Sequence, residues 1–164
     1  MYSSSLKGKN AWVTGSSRGI GRIVAEFLAE CGANVAIHGR NATNLAQYGE
    51  GETLEAVAEE MAERFGVRIV PVCGNLGREE EAARAAATVR SKLGDAYSCI
   101  ADFASGYAAY GGDRAVPLPG LSPLEHVGKP EDIASLVHFL CSEGGRYISG
   151  QCIRVDGGEQ LSPC

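Results

Sequence analysis

The strongest constraint on the fold is a regular alternation of short apolar segments with segments of helical periodicity. Short apolar runs predict strands at 11–14, 34–38 and 67–73. Between and after them, apolar residues spaced three or four apart predict three helices, which end at Gly32, Gly66 and Gly94. Strands that alternate with helices require a parallel sheet covered by helices and joined by right-handed connections. The sequence therefore predicts an α/β fold.

The second half of the chain is less regular. Residues 97–101 are predicted to form a strand, and the Gly- and Pro-containing stretch at 102–128 is predicted to be an irregular loop. Helical periodicity returns at Pro130, which suits a first helical position, and Glu131 and Asp132 suit the positive end of the helix dipole. A last strand is predicted at 151–155.

Length and composition limit the class of protein. A chain of 164 residues with 45% hydrophobic residues predicts one globular domain over 1–164. The net charge of −5 without a basic block argues against nucleic acid, and no apolar run is long enough for a membrane span. Six cysteines without a Cys-x-x-Cys pair predict small buried side chains in a reducing cytoplasm and no metal site. His38, His126 and His138 are interpreted as structural or exposed.

The stretch TGSSRGIG, residues 14–21, lies between the first predicted strand and the first predicted helix. A glycine-rich turn there presents backbone N–H groups at the positive end of a helix, which is a site for an anion. We expect Gly15 to allow the tight turn, Gly19 to allow the close approach of a phosphate, and Gly21 to allow close packing of the helix on the strand. The alternative is a glycine turn that holds no ligand.

The end of the second strand indicates which dinucleotide the site prefers. Sites selective for NAD place an acid about 20 residues past the glycine loop, where it binds the ribose 2′-hydroxyl. Here Arg40 occupies that region, and the next acid is Glu50. The guanidinium of Arg40, with that of Arg18 in the loop, suits a 2′-phosphate. This favours NADP(H) over NAD, and the alternative is two solvated surface arginines.

Three segments resemble motifs of the short-chain dehydrogenase/reductase superfamily. They are TGSSRGIG at 14–21, HVGKPEDIASLVHFLCS at 126–142 and YISGQCIRVDGG at 147–158. The resemblance covers residues 6–94 and 123–158. It implies a doubly wound Rossmann-type sheet in three layers and a small-molecule substrate with a carbonyl or alcohol group. It also implies an adenine contact after the third strand, where Asn75-Leu76 replaces the family's usual aspartate and apolar residue. The cofactor-binding residues predicted in all are Gly15, Ser17, Arg18, Gly19, Ile20, Gly21, Arg40, Asn75 and Leu76.

The catalytic signature of that family is missing from the sequence. The family's enzymes use a tyrosine whose pKa is lowered by a lysine four residues later, and no tyrosine here is followed by lysine at that spacing. Only Tyr110 has a base there, Arg114. One alignment makes Tyr110 the catalytic acid, with Ser98 upstream. The favoured alignment places it in a substrate loop, so no catalytic residue is assigned.

A deletion explains this pattern most simply. Two β-α units of the family, the fourth and fifth strands with their helices, are missing after Gly94. If the chain runs unbroken through 94–96, the strand at 97–101 should pair directly beside the strand at 11–14. The prediction, however, is a break in the chain between about Leu93 and Tyr97, which would mean that a segment has been omitted from the sequence. The leading interpretation is an NADP(H)-dependent oxidoreductase, and the alternative is a nucleotide-binding pseudoenzyme or remnant. A bare sheet edge and the late helix predict a homo-oligomer.

Overall fold

The computed structural model describes residues 5–41, 53–94, 97–99, 128–151 and 153–157. Its strands are β1 (Asn10–Val13), β2 (Asn34–Gly39), β3 (Ile69–Cys73) and β4 (Tyr97–Cys99). Its helices are α1 (Gly19–Glu30), α2 (Leu54–Phe65), α3 (Glu79–Leu93) and α4 (Pro130–Cys141), and a 3₁₀ turn follows at Glu143–Gly145. None of the helices in these described segments is long and apolar enough to cross a membrane.

The four strands form one parallel sheet in the order β3-β2-β1-β4. β1 lies inside the sheet, where Asn10 faces Asn34 of β2 and Ala11 faces Tyr97 of β4. The predicted α/β fold is confirmed. β4 lies beside β1, which is the arrangement expected for a chain that runs unbroken past Gly94 and not for one with the predicted break. Residues 95 and 96 themselves lie outside the described part.

Each face of the sheet carries its own apolar cluster, because neighbouring residues of a strand point to opposite faces. On one face Val13 and Ile37 pack against α1, α2 and α4. On the other face Ala36 and Val72 pack against α3, with Trp12 at the edge of the cluster. Helices on both faces of a parallel sheet give the three layers of a doubly wound fold.

The amino ends of β1, β2 and β3 are joined by hydrogen bonds to asparagine side chains. Asn34 donates from Nδ2 to Oδ1 of Asn10 at 3.0 Å, and the backbone N–H of Arg68, just before β3, donates to Oδ1 of Asn34 at 3.1 Å. Asn10 also donates from Nδ2 to the carbonyl of Leu93 at 2.6 Å, at the end of α3. These contacts fix β1, β2 and β3 relative to one another at this edge of the sheet.

The helix boundaries follow the signals in the sequence. Gly66 ends α2 in the left-handed conformation, at φ 67°, and the hydroxyl of Thr53 accepts from the N–H of Ala56 at its start. Pro130 lies in the first turn of α4, and the carboxylate of Asp132 accepts from the backbone N–H of Lys129 at 2.7 Å. Local chemistry therefore defines these ends before any tertiary contact forms.

The prediction of a last strand at 151–155 is wrong for the residues described there. Residues 151 and 153–155 have no strand conformation, and Ile153 and Val155 are 44% and 42% exposed. An alternating apolar pattern forms a strand only where a neighbouring strand can pair with it. In the described part of the chain the sheet consists of β3, β2, β1 and β4, and none of these strands pairs with this segment.

Candidate functional site

The loops that follow β1, β2 and β3 meet at the carboxyl edge of the sheet. The N–H of Ser17 in the first loop donates to the carbonyl of His38 at 3.1 Å. The N–H of Gly74 in the third loop donates to the carbonyl of Gly39 at 3.1 Å. The structure thus brings together the three segments in which every predicted cofactor-binding residue lies.

The glycine loop has the geometry of an open cradle in front of α1. Gly15 and Gly19 have φ angles of 63° and 57°, which side chains rarely adopt, and a Cβ on either would meet no atom within 4 Å. Gly21 is the opposite case, because its Cβ would lie 2.5 Å from the carbonyl oxygen of Gly15. The start of α1 therefore rests directly on the loop, and the space beside Gly15 and Gly19 is open. This shape fits a phosphate group at a helix N-terminus.

Two residues that the sequence did not assign to the cofactor site hold the loop in place. Ser16 is fully buried, donates its hydroxyl to the carbonyl of Val13 at 2.6 Å, and accepts from the N–H of His38 at 2.9 Å. His38 is 6% exposed and lies at the end of β2. The sequence left open whether His38 is structural or exposed, and the structure shows that it is buried and structural.

The imidazole of His38 bridges two loops with its two nitrogens. The N–H of Gly15 lies 3.2 Å from Nδ1, and Nε2 lies 2.9 Å from the carbonyl oxygen of Gly74. A backbone N–H can only donate and a carbonyl can only accept, so Nδ1 must be the acceptor and Nε2 must carry the proton. Burial lowers the pKa of His38 below its ordinary value of 6.5, and the bond to Gly74 partly opposes this shift. The neutral ring is the form that fits.

Stability is expected to fall as the pH drops below the ordinary histidine pKa. Burial lowers the pKa of His138 as well as that of His38, so the unfolded chain takes up protons first as the pH falls below 6.5. The contribution of the two histidines to the free energy of unfolding is complete above pH 6.5. It is lost as the pH falls toward the lowered pKa values of the folded protein. Urea unfolding should show a lower midpoint at about pH 5.5 than at about pH 7.5. A His38→Leu, His138→Leu double variant should show a smaller difference; an equal one would contradict this account.

The two arginines predicted to select the cofactor lie on neighbouring loops. Arg18 immediately precedes α1, and Arg40 follows β2; both are exposed. The backbone between them is close, since a Cβ on Gly39 would lie 3.4 Å from Cβ of Ser17. Ser17 and Ile20 are half-buried beside them. Two exposed arginines therefore lie on neighbouring loops at the carboxyl edge of the sheet.

The loop after β3 is shaped by Asn75 and Glu81. Oδ1 of Asn75 accepts from the N–H of Gly77 at 3.1 Å, and the N–H of Asn75 donates to Oε2 of Glu81 at 2.7 Å. The hydrogen bond from the Asn75 N–H is the main reason why the pKa of Glu81 lies below its usual range, and Arg78 lowers this pKa further. Leu76 is 36% exposed at the tip of the turn. An amide and an exposed apolar side chain thus stand beside the second loop.

The residues discussed as catalytic candidates cannot be placed. Tyr110 and Arg114 lie outside the described residues, and of Ser98 only the backbone is described, within β4. Among the described residues, the feature of this edge that fits a ligand is the open glycine cradle, whose shape suits an anion.

The fold and the glycine loop define the class of Rossmann-type α/β proteins. Residues 9–96, more than half of the chain, match the family model described as short chain dehydrogenase. The chain belongs to the short-chain dehydrogenase family. Residues 117–160 match a second model, described as Enoyl-(Acyl carrier protein) reductase. Residues 97–116, between the two matches, contain Tyr110 and Arg114.

Curated relatives match only in part. The 3-oxoacyl-[acyl-carrier-protein] reductase FabG of Aquifex aeolicus is 45% identical over 80 residues, which are 49% of this chain and 29% of that protein. A tropinone reductase homolog of Arabidopsis thaliana is 57% identical over 37 residues, which are 23% of this chain and 14% of that protein. The chain thus aligns with less than a third of the length of either relative.

Solved structures show the same fold. A putative short-chain alcohol dehydrogenase from Sinorhizobium meliloti aligns over 99% of both chains, with a TM-score of 0.71 and 20% identity. The L-sorbose reductase from Gluconobacter frateurii, complexed with NADPH and L-sorbose, aligns over 96% of this chain and 98% of that chain, with a TM-score of 0.70 and 18% identity. At such identities the likeness establishes the fold alone.

Proposed function

We propose that this chain binds NADP(H) at the carboxyl edge of its sheet, as the cofactor-binding part of an oxidoreductase that acts on a carbonyl or alcohol substrate. The observation that carries the proposal is the open cradle at Gly15 and Gly19 beneath the start of α1, with Arg18 and Arg40 beside it. The pyrophosphate would bind at the backbone N–H groups of the loop. The cofactor would supply the hydride, and the chain would bind and orient it.

The other predicted cofactor-binding residues would contact different parts of the dinucleotide or shape the loop. Gly21 brings α1 against the loop, and Ser17 and Ile20 line its side. Arg18 and Arg40 would bind the 2′-phosphate through charge-assisted hydrogen bonds. Asn75 and Leu76 would contact the adenine, the first by its amide group and the second by its exposed apolar side chain.

A second candidate is a nucleotide-binding protein without hydride transfer. It is favoured by the lack of a Tyr-x-x-x-Lys pair anywhere in the 164 residues. The pairing of β4 directly with β1 also favours it, because this is the arrangement expected when the deletion after Gly94 is genuine. Both candidates share the same cofactor site and differ only in the chemistry that follows binding.

One pair of measurements separates the candidates. Titration calorimetry at fixed salt should show binding of NADPH to the unmodified chain, with NADH binding more weakly. NADPH consumption should then be followed with a panel of ketones and quinones. Binding with turnover supports the oxidoreductase, binding without turnover supports the second candidate, and the absence of binding contradicts both.

Association of the chain with further copies of itself belongs to the same proposal. Large apolar side chains are exposed after α4, among them Tyr147 at 99% and Ile148 at 42%. Exposed apolar surface of this kind commonly marks a contact between proteins. Light scattering that finds only the 17.2 kDa chain would contradict association. The cytoplasmic location predicted from the cysteines stays a prediction.

A further inference from the structure

His38 contacts both of the loops between which a dinucleotide would lie, and it is not itself placed to touch the ligand. Its ring accepts from the N–H of Gly15 at 3.2 Å and donates to the carbonyl of Gly74 at 2.9 Å. Its backbone N–H donates to Ser16 at 2.9 Å, and its carbonyl accepts from Ser17 at 3.1 Å. One buried residue therefore fixes the glycine loop and the loop after β3 at the same time.

We propose that His38 is a positioning residue that sets the distance between the phosphate-binding glycine loop and the adenine-binding loop after β3. This inference rests on the proposed function, because it assumes that a dinucleotide spans the two loops. The ring suits the task because it is rigid, and because it has an acceptor and a donor on opposite edges. Since His38 is 6% exposed, water cannot easily replace either bond if the ring is removed.

The role of His38 can be separated from a general effect on stability by comparing two ligands. NADPH is long enough to reach both the phosphate-binding cradle and the loop after β3. Adenosine 2′-monophosphate contains no pyrophosphate, so it would contact Arg18 and the loops after β2 and β3 but not the cradle at Gly15 and Gly19. If His38 sets the spacing between loops, its loss should weaken NADPH far more than the fragment. Partial unfolding, in contrast, would weaken both ligands by the same factor.

Three variants test the two bonds of the ring. His38→Leu removes both, His38→Asn keeps an acceptor near the position of Nδ1 for Gly15, and His38→Gln keeps a donor near the position of Nε2 for Gly74. We expect the Kd of NADPH to rise by about tenfold or more in His38→Leu, and by less in the other two. The Kd of adenosine 2′-monophosphate should change by less than about twofold.

His138 offers a matched control. His138 is also buried, at 8% exposed, and it lies on α4 and not at the cofactor loops. Its Nε2 is 2.7 Å from the hydroxyl of Ser5. His138→Leu should lower stability without changing the ratio of the two dissociation constants. If His38→Leu does not fold, the ratios measured for His38→Asn and His38→Gln decide the question.

The outcomes separate a failure of the proposed function from a failure of the positioning role of His38. Failure of the unmodified chain to bind NADPH would overturn the proposed function. Normal binding by the unmodified chain, with equal loss of both ligands or no loss in the His38 variants, would overturn only the positioning role. A spectroscopic check is available, because the ¹⁵N shifts of His38 in the free protein should report a neutral ring protonated at Nε2. A ring protonated at Nδ1 would contradict the bridge to Gly15.

Discussion

Replacing Gly21 by alanine is expected to lower the free energy of unfolding by about 3 kcal/mol and to prevent measurable binding of NADPH. The added Cβ would lie 2.5 Å from the carbonyl oxygen of Gly15 and 3.0 Å from Cα of Ser16. Both atoms belong to the backbone, so no side chain can rotate away to make room. The helix or the glycine loop must shift, and either movement distorts the cradle. Urea unfolding and titration calorimetry measure the two effects.

Gly66→Ala is the matched control for this change. Gly66 also has a positive φ, 67°, but its Cβ would meet no atom within 4 Å, and it lies at the end of α2 away from the loops. Alanine there should cost about 1 kcal/mol through backbone strain and should leave the affinity for NADPH unchanged. Equal losses of stability in the two variants would show that the contact with Gly15 is relieved at little cost.

Arg40→Asp is expected to weaken NADPH by about 100-fold while changing the affinity for NADH by less than about threefold. The substitution removes the charge-assisted hydrogen bonds proposed for the 2′-phosphate and places a carboxylate where that phosphate would lie. NADH lacks the phosphate, and an acid at this place can accept from its ribose 2′-hydroxyl. Calorimetric titration of both nucleotides at one salt concentration measures the change in selectivity.

Arg90→Asp makes the same change of charge at another place. Arg90 lies in the last turn of α3, and that helix ends at the amino edge of the sheet, where Asn10 binds the carbonyl of Leu93. Its effect on binding of either nucleotide should be less than about twofold at moderate salt. If Arg90→Asp weakens NADPH as much as Arg40→Asp does, the preference comes from overall charge and not from a specific contact.

Much of the fold could be predicted because its signals are local. The periodicity of α3 and the terminal glycines of α2 and α3 can be read within a few residues, and α3 ends at Leu93, directly before the glycine predicted to end it. The glycine loop was recognisable for the same reason, since strand, turn and helix follow one another directly. Such features depend on backbone preferences that each segment carries by itself.

The rest depended on contacts between distant segments. Ser16 and His38 are 22 residues apart, and nothing in the spacing of either indicates that they hydrogen-bond. The segment at 151–155 has the composition of a strand, but a strand also needs a neighbour. The sequence pattern shows which face a residue can bury, and not whether a partner is present to cover it.

β1, β2 and β3 are held together at both ends. Asn10, Asn34 and the backbone of Arg68 join their amino ends, and Ser16, His38 and Gly74 join their carboxyl ends. Parallel strands have no tight turn between them to set their register, so polar contacts at the strand ends set it instead. The apolar residues between these contacts can then be replaced by others of similar volume at a small cost in stability. Substitutions can therefore accumulate in the interior of such a sheet while the edge proposed to bind the ligand keeps its shape.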